Sequence, residues 1–146
     1  MEASALPSLA IVIPAYNEED TIRACVLAAL GQTIPADEII VVDNKSTDAT
    51  SSILAKLQSD FPDAPLRVLR QDKAQGISPT RNMGFDAVTA DIIGRIDSDS
   101  VLEPNWVEET KKVFLDTSVD AATGPVIYYD LPLRRYMAKA DDNARR

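Results

Sequence analysis

Leu9-Ala10-Ile11-Val12-Ile13, five apolar residues followed by a proline, is the stretch of sequence that decides the fold. A continuous apolar run of this length predicts a strand that is buried on both faces, as in a parallel sheet. Similar runs follow at 38–42, 66–69 and 92–96, with apolar residues at helical spacing in the intervals between them. Strands that alternate with helices indicate βαβ units with right-handed crossovers. The sequence therefore predicts an α/β fold around a mostly parallel sheet.

The intervals between the strands predict the helices. Apolar spacing places them at 21–30, 46–59 and around 79–88, and a fourth helix is expected to begin near Pro104. Residues 120–129 are expected to form one more strand-like segment. With 146 residues, the chain corresponds to one domain with a core of its own.

Composition and charge exclude several classes of function. Hydrophobic residues make up 45% of the chain and charged residues 26%, which is typical of an ordinary globular protein. The formal net charge of −8 argues against a nucleic acid as partner, because binding its backbone needs a basic surface. A nucleotide remains compatible where a cation separates its phosphates from acidic side chains.

The chain has no histidine, which excludes Ser-His-Asp and Cys-His catalysis and the usual histidine-containing zinc sites. Its one cysteine, Cys25, is therefore expected to be a buried structural thiol. The first residues lack positive charge and no apolar run approaches about 18 residues, so we expect neither a signal peptide nor a membrane span. The expected location is the cytoplasm.

Two carboxylates, Asp97 and Asp99, flank Ser98 directly after the fourth apolar run. Hard cations prefer oxygen ligands, and Mg²⁺ usually takes one or two carboxylates together with water and substrate phosphates. Open α/β sheets also bind ligands at the carboxyl ends of their strands. This triplet therefore predicts a metal that links protein carboxylates to a diphosphate, although a plain turn is the alternative. Arg81 is placed to hold that diphosphate or to brace Asp97, with a surface arginine as its alternative.

The segment after the first strand, Pro14-Ala15-Tyr16-Asn17-Glu18-Glu19, contains no glycine. It therefore lacks both the dinucleotide-binding G-x-G-x-x-G pattern and the phosphate-binding loop G-x-x-x-x-G-K-[ST]. Tyr16 can instead stack on a base or ribose, and Asn17 can bond a ligand or fix the loop. In the alternative reading, Pro14 only ends the strand and Asn17 caps the following helix.

A second polar segment, Asp43-Asn44-Lys45-Ser46-Thr47-Asp48, follows the second strand. It would lie beside the first loop if the first two strands are neighbours. Asp43 is expected to accept a hydrogen bond from a base or ribose, or from a backbone amide of the adjacent loop. Ser46 or Thr47 is the expected N-cap of the second helix.

Together and in this order, the polar segments resemble the family 2 glycosyltransferases of the GT-A fold. The matching segments are residues 11–19 (IVIPAYNEE), 39–48 (IIVVDNKSTD), 76–84 (GISPTRNMG) and 96–99 (IDSD), with Pro104 and Trp106. The resemblance covers about Leu9 to Trp106. It implies a three-layer α/β sandwich, a nucleotide-sugar donor, Mn²⁺ or Mg²⁺, and transfer of the sugar to an acceptor hydroxyl, typically with inversion.

The resemblance assigns the nucleoside end of the donor site. Ala15 and Tyr16 are expected to line the nucleoside, with Asp43 and Asn44 near the base. Many relatives have a second aspartate and a glycine where this chain has Asn44 and Lys45. An amide can donate as well as accept, so the preferred base edge need not be the same. A UDP-sugar is the donor expected.

The resemblance also assigns the diphosphate end. Arg81 is expected to support the diphosphate or the acidic triplet, Asp97 to contact the ribose or sugar side, and Asp99 to bind the metal, with Asp97 as a second ligand. The expected donor-binding residues are Pro14, Ala15, Tyr16, Asn17, Glu18, Asp43, Asn44, Arg81, Asp97, Ser98 and Asp99.

The expected domain organisation is a shortened nucleotide-sugar-binding domain over 1–130, with 131–146 as a charged tail or the start of an acceptor region. Family members continue well past the triplet and usually supply a catalytic Asp or Glu base there. No carboxylate after Trp106 matches that base; the candidates are Asp116, Asp120, Asp130, Asp141 and Asp142.

We therefore expect the donor-binding part of a longer enzyme, peripheral to the inner face of the membrane through its remainder. The expected acceptor is lipid-linked or a polysaccharide. Two alternatives are a nucleotidyltransferase, which should carry a glycine-rich loop after the first strand, and a nucleotide-sugar-binding module without catalysis.

Overall fold

Four strands and four helices alternate along residues 5–126, the part of the chain that the computed structural model describes. In chain order they are β1 (Leu9–Ala15), α1 (Ile22–Leu30), β2 (Glu38–Asp43), α2 (Thr50–Asp60), β3 (Leu66–Arg70), α3 (Ile77–Asp86), β4 (Ile92–Arg95) and α4 (Trp106–Val113). The α/β alternation predicted from the apolar runs is confirmed.

The strands form one parallel sheet in the order β3-β2-β1-β4. β1 is central, with Ile11 beside Ile39 of β2 on one side and beside Gly94 of β4 on the other. The chain therefore builds outward from β1 through β2 to β3, and returns to the opposite side of β1 with β4. Open α/β sheets bind ligands at such a reversal of strand order, outside the carboxyl ends of the strands.

Helices cover both faces of this sheet. On one face, Ile11 and Val41 belong to the main core cluster together with buried residues of α1, α2 and α4. On the other face α3 approaches so closely that a Cβ atom at Gly84 would overlap Cγ1 of Val12 and press on Cγ2 of Val42. The result is a three-layer arrangement, with the sheet between α3 and the other helices.

Pro14 does not end the first strand, which continues to Ala15 and pairs Pro14 with Val42 of β2. The carbonyl of Val12 accepts from Ile96 N at 3.1 Å, so Val12 turns its polar groups toward β4. Pro14, two residues on, turns the same way, but the pairing of β1 with β4 ends at Val12. The missing N–H therefore falls where no partner strand needs it.

The predicted start of the second helix is wrong. α2 begins at Thr50 rather than Ser46, and the residue before it, Ala49, provides no side-chain cap. The backbone N–H of Thr50 instead donates to Oδ1 of Asp48 at 2.9 Å. Ser46 and Thr47 are engaged by the neighbouring loop, which is why they do not cap this helix.

The third helix begins earlier than predicted, at Ile77, because Pro79 lies in its first turn, where a missing N–H is tolerated. The strand-like segment expected at 120–129 is not found over residues 120–126, and its last three residues lie outside the described part of the chain. The tail over 131–146 also lies outside it. Among residues 5–126, no helix is both long enough and apolar enough to cross a membrane.

Candidate functional site

A cleft of about 440 Å³ lies at the carboxyl ends of β1, β2 and β4, at the reversal of strand order. Most of the residues predicted from the sequence line it, namely Pro14, Ala15, Tyr16, Glu18, Asn44, Arg81, Asp97, Ser98 and Asp99. Asn17 and Asp43 are not among its lining residues.

The acidic triplet lies at the β4 end of the cleft. The side chain of Asp97 is 54% exposed, and Asp99 is exposed as well, whereas Ser98 between them is buried. Nη2 of Arg81 donates to Oδ1 of Asp97 at 3.1 Å. Nε of Arg81 is buried and has no hydrogen-bond partner within residues 5–126. Of the two contacts expected of Arg81, the structure contains the one that braces Asp97.

A buried thiol lies beneath the triplet. Sγ of Cys25 is 3.6 Å from the carbonyl oxygen of Asp97, and only 1% of the residue is exposed. Burial, together with the negative charges of Asp99, Asp97 and Glu18, raises the pKa of this thiol to about 12. The thiol therefore remains protonated, and the prediction that Cys25 is buried is confirmed.

The donor set of the triplet limits the kind of metal that it could hold. Within residues 5–126, no group of three or more His, Cys, Asp or Glu side chains is arranged to hold a metal ion. The protein therefore offers the carboxylates of Asp97 and Asp99 and no closed cage. Such a pair fits a hard cation that completes its shell with water and phosphate oxygens, as Mg²⁺ does.

Asn17 fixes the loop after β1 and does not cap a helix. Its backbone N–H donates to Oγ of Ser46 at 3.0 Å, and its Oδ1 accepts from the backbone N–H of Thr47 at 2.7 Å. Its backbone φ is 51°, a positive value that Asn adopts more readily than most residues other than glycine. The same amide also donates from Nδ2 to Oγ1 of Thr47 at 3.2 Å. Asn17 thus joins the loops that follow β1 and β2.

The next two residues extend this junction. The backbone N–H of Glu18 donates to Oγ1 of Thr50 at 2.8 Å, and that of Glu19 donates to Oδ2 of Asp48 at 3.2 Å. In return, Oε2 of Glu19 accepts from the backbone N–H of Ala49 at 2.8 Å. The loop that carries Tyr16 is therefore held in place before any ligand binds.

Asp43 lies behind the cleft, where it is 1% exposed. Its Oδ1 accepts from the backbone N–H of Ser46 at 3.1 Å, and its Oδ2 accepts from the hydroxyl of Ser51. Nη1 of Arg70 lies 3.7 Å from Oδ2. Asp43 was expected to accept from a base, a ribose or a backbone amide of the adjacent loop. It accepts from a backbone amide, but that amide belongs to the loop that Asp43 itself begins. The three groups together enclose the carboxylate.

Asn44 lines the cleft, but its amide group is already occupied. Nδ2 donates to the carbonyl oxygens of Gln71 and Ala74, each at 2.8 Å, and Oδ1 accepts from Gly76 N at 2.8 Å and Gln75 Nε2 at 3.1 Å. An amide offers two donor hydrogens and two lone pairs, so all four are used. Asn44 therefore organises the loop between β3 and α3.

Four residues of the cleft were not predicted from the sequence as site residues. They belong to the loop before α3 and to the first turns of that helix: Gln75, Gly76, Ile77 and Thr80. Gly76 has a φ of 128°, and its carbonyl accepts from Oγ1 of Thr80 at 2.6 Å. A glycine directly ahead of Ile77 and Ser78 was the available signal for this turn.

The comparisons with known proteins agree with this architecture. The model of Glycosyl transferase family 2 matches residues 10–142. Glycosyltransferase AglE of Haloferax volcanii is 33% identical over 125 residues, which make up 84% of this chain and 40% of AglE.

Two solved transferases share the fold. The mannosyltransferase PcManGT from Pyrobaculum calidifontis, in complex with GDP-Man and Mn²⁺, has a TM-score of 0.68 and 26% identity over 92% of this chain and 39% of that one. Residues 1–349 of TarS from S. aureus, in complex with UDP, have a TM-score of 0.66 and 21% identity over 85% of this chain and 40% of that fragment.

The expected GT-A fold is confirmed by these two structures. The chain spans about two-fifths of the length of AglE and of PcManGT. The match of the family model over most of the chain, together with the identity to AglE, decides the family. This chain belongs to glycosyl transferase family 2.

Proposed function

We propose that the chain is the donor-binding part of a metal-dependent glycosyltransferase that moves a sugar from a nucleoside diphosphate to an acceptor hydroxyl with inversion. One observation carries this proposal: a single cleft holds Asp97, Asp99 and Arg81 at its β4 end, and Tyr16 and Asn44 at its β1 and β2 end. A nucleotide-sugar needs both kinds of surroundings, a polar end for phosphates and an aromatic end for the nucleoside.

The β4 end suits a diphosphate only with a cation. The two exposed carboxylates would repel phosphate oxygens, and one arginine paired with Asp97 does not offset them. Bound Mn²⁺ or Mg²⁺ would act as a Lewis acid that stabilises the negative charge developing on the leaving diphosphate. The Mn²⁺ and GDP-Man in the PcManGT complex support this assignment.

The β1 end suits the nucleoside. Tyr16 is 52% exposed, so its ring is available for a base or ribose to stack against. The hydrogen bonds of Asn17 to Ser46 and Thr47 fix the loop beforehand. Less conformational entropy is then lost when the donor binds, which strengthens binding without a further contact.

The general base comes, in this proposal, from sequence outside the described residues. Direct displacement with inversion needs a group that removes the proton of the acceptor hydroxyl. Besides Asp97 and Asp99, the only carboxylate lining the cleft within residues 5–126 is Glu18, which already accepts from Oγ1 of Thr21 at 3.0 Å. Asp116 is held by Ser118, away from the cleft.

The acceptor would bind to a part of the enzyme that lies beyond the donor cleft. The length of the relatives leaves room for an acceptor region beyond this chain. We place a lipid-linked or polysaccharide acceptor there, with the whole enzyme working at the cytoplasmic face of the membrane. Transfer or donor hydrolysis by this chain alone would show that it carries its own base.

Calorimetry with UDP-, GDP- and dTDP-sugars, with and without Mn²⁺, tests the donor assignment. We expect binding of at least one donor that weakens at least tenfold when the metal is omitted. The variant Asp99→Asn should lose this metal dependence, while Asp63→Asn, at an exposed turn far from the cleft, should retain it. Absence of binding under all these conditions would refute the proposal.

A further inference from the structure

The end of the cleft opposite the acidic triplet is formed by an amide pair, Gln75 and Asn44. Nε2 of Gln75 donates to the backbone carbonyl of Asn44 at 3.2 Å and to its Oδ1 at 3.1 Å. Gln75 is an exposed residue, and these two bonds hold one end of its amide against the sheet.

Backbone groups decide which way both amides are turned. Nδ2 of Asn44 must donate, because it faces the carbonyl oxygens of Gln71 and Ala74. Oδ1 of Asn44 must accept, because it faces the backbone N–H of Gly76. The group of Gln75 nearest to Asn44 then has to be the donor Nε2, since the backbone carbonyl of Asn44 can only accept. Oε1 of Gln75 is therefore the amide atom that does not bond Asn44.

This oxygen of Gln75 differs from the amide groups of Asn44 and Gln71. Both hydrogens and both lone pairs of the Asn44 amide are used within the protein. Oε1 of Gln71 accepts from the backbone N–H of Lys73 and Ala74, and its Nε2 donates to the carbonyl of Pro79 at 3.3 Å. Oε1 of Gln75 accepts no hydrogen bond from residues 5–126.

The arrangement of the sheet decides which part of a donor reaches Gln75. The acidic triplet and Arg81 follow β4 and α3, and they would hold the diphosphate at that end. Asn44 follows β2, which is two strands away from β4 across β1, a distance of about 10 Å. In a nucleoside diphosphate the base is the part farthest from the diphosphate. It would therefore lie toward Asn44 and Gln75.

We propose that Gln75 is the residue that selects the nucleobase, with Asn44 as the residue that positions it. Oε1 of Gln75 accepts a hydrogen bond from a ring N–H on the pairing edge of the base. Uracil, thymine and guanine carry such an N–H, whereas cytosine and adenine present a lone pair at the corresponding nitrogen. The site thus selects bases with a ring N–H. This inference rests on the proposed function.

The test compares UDP with CDP, which differ on the pairing edge of the same ring. Calorimetry in the presence of Mn²⁺ should give a preference of about tenfold for UDP, since CDP would set a lone pair against Oε1. The variant Gln75→Met keeps the length of the side chain but removes both Oε1 and the Nε2 donor, and it should bind UDP and CDP about equally. Gln58→Met, on the exposed face of α2, should keep the preference of the parent chain.

Stability and affinity separate this role from a structural one. The urea midpoint of Gln75→Met should stay close to that of the parent chain, because water can replace the two bonds that this exposed side chain donates to Asn44. In the same variant, the preference for GDP over ADP should disappear together with the preference for UDP over CDP. Equal binding of UDP and CDP by the parent chain, or an undiminished preference in Gln75→Met, would overturn the role given to Gln75 and leave the proposed function standing. If no nucleoside diphosphate binds in Mn²⁺, the proposed function falls and this inference with it.

Discussion

Nη2 of Arg81 donates to Oδ1 of Asp97 at 3.1 Å, and this bond ties the first turns of α3 to the acidic triplet that follows β4. Asp97 is thereby held in one orientation, although more than half of its side chain is exposed. The bond joins α3, which packs against β1 and β2, to the segment that follows β4. It therefore links two lining residues of the cleft and offsets part of the negative charge at its β4 end.

The variant Arg81→Lys should weaken donor binding by about tenfold, because an ammonium cannot reproduce the planar fork of donors. The measurement is calorimetry with a nucleotide-sugar and Mn²⁺. Arg23→Lys changes an exposed arginine of α1 and should leave the affinity as it was. Equal losses in both variants would show that Arg81 has no special part in the site.

The variant Asn44→Asp should destabilise the fold by about 1–3 kcal/mol, because a carboxylate cannot donate to the carbonyl oxygens of Gln71 and Ala74. Urea unfolding at neutral pH measures the loss. Asn82→Asp, at an exposed position of α3, is the matched control and should change stability by less than about 0.5 kcal/mol. A stability of Asn44→Asp equal to that of its control would contradict the role given to this amide.

Asn44 also illustrates where sequence reasoning reached its limit. The apolar runs predicted all four strands, because a strand buried on both faces needs apolar residues in succession. The polar residues after each strand were located correctly as well. Their partners were not, because Asn44 bonds residues 71–76, some thirty positions away, through backbone groups that no local pattern reveals.

The same limit explains the errors at the second helix. Ser46 and Thr47 have the composition of an N-cap, and nothing nearby in the sequence speaks against that role. In the structure both are used by Asn17, which reaches them from the preceding loop only because β1 and β2 are adjacent. Tertiary contacts thus overrode a local preference, and α2 begins at Thr50 instead.

The ion pair between Asp37 and Lys111 should make stability depend on pH in acid. Burial alone would raise the pKa of Asp37, but hydrogen bonds from Lys111 and Leu9 outweigh it and hold this pKa below its ordinary value of 3.8. Asp37 thus contributes stability above about pH 4, and that contribution is lost as the pH falls through its lowered pKa.

The variant Asp37→Asn should lose about 1–3 kcal/mol at pH 7, because it leaves the ammonium of Lys111, only 7% exposed, without its partner at 2.6 Å. Urea unfolding at pH 7 and at pH 3 should show the difference from the parent chain shrinking in acid. Asp63→Asn serves as the control and should show no such trend. A difference that stays constant between the two pH values would contradict the lowered pKa.

The variant Gly84→Ala should destabilise the fold by about 1–3 kcal/mol, since the new Cβ would overlap Val12 on the sheet. Thermal unfolding measures this effect. Because α3 carries Arg81, its displacement should also weaken donor binding. At Gly124 a Cβ would meet no atom within 4 Å, so Gly124→Ala is the control and should leave both quantities unchanged.

The thiol of Cys25 should be almost inert toward a thiol reagent at pH 8. Burial is the first cause of its pKa of about 12, ahead of the charges of Asp99 and Asp97. The reagent needs both the thiolate and access to it, and the folded chain provides neither. Complete labelling is therefore expected in urea and very slow labelling in buffer. Asp99→Asn removes one charge but leaves the burial, so this variant should stay protected. Rapid labelling of Asp99→Asn at undiminished stability would mean that charge, and not burial, keeps the thiol protonated.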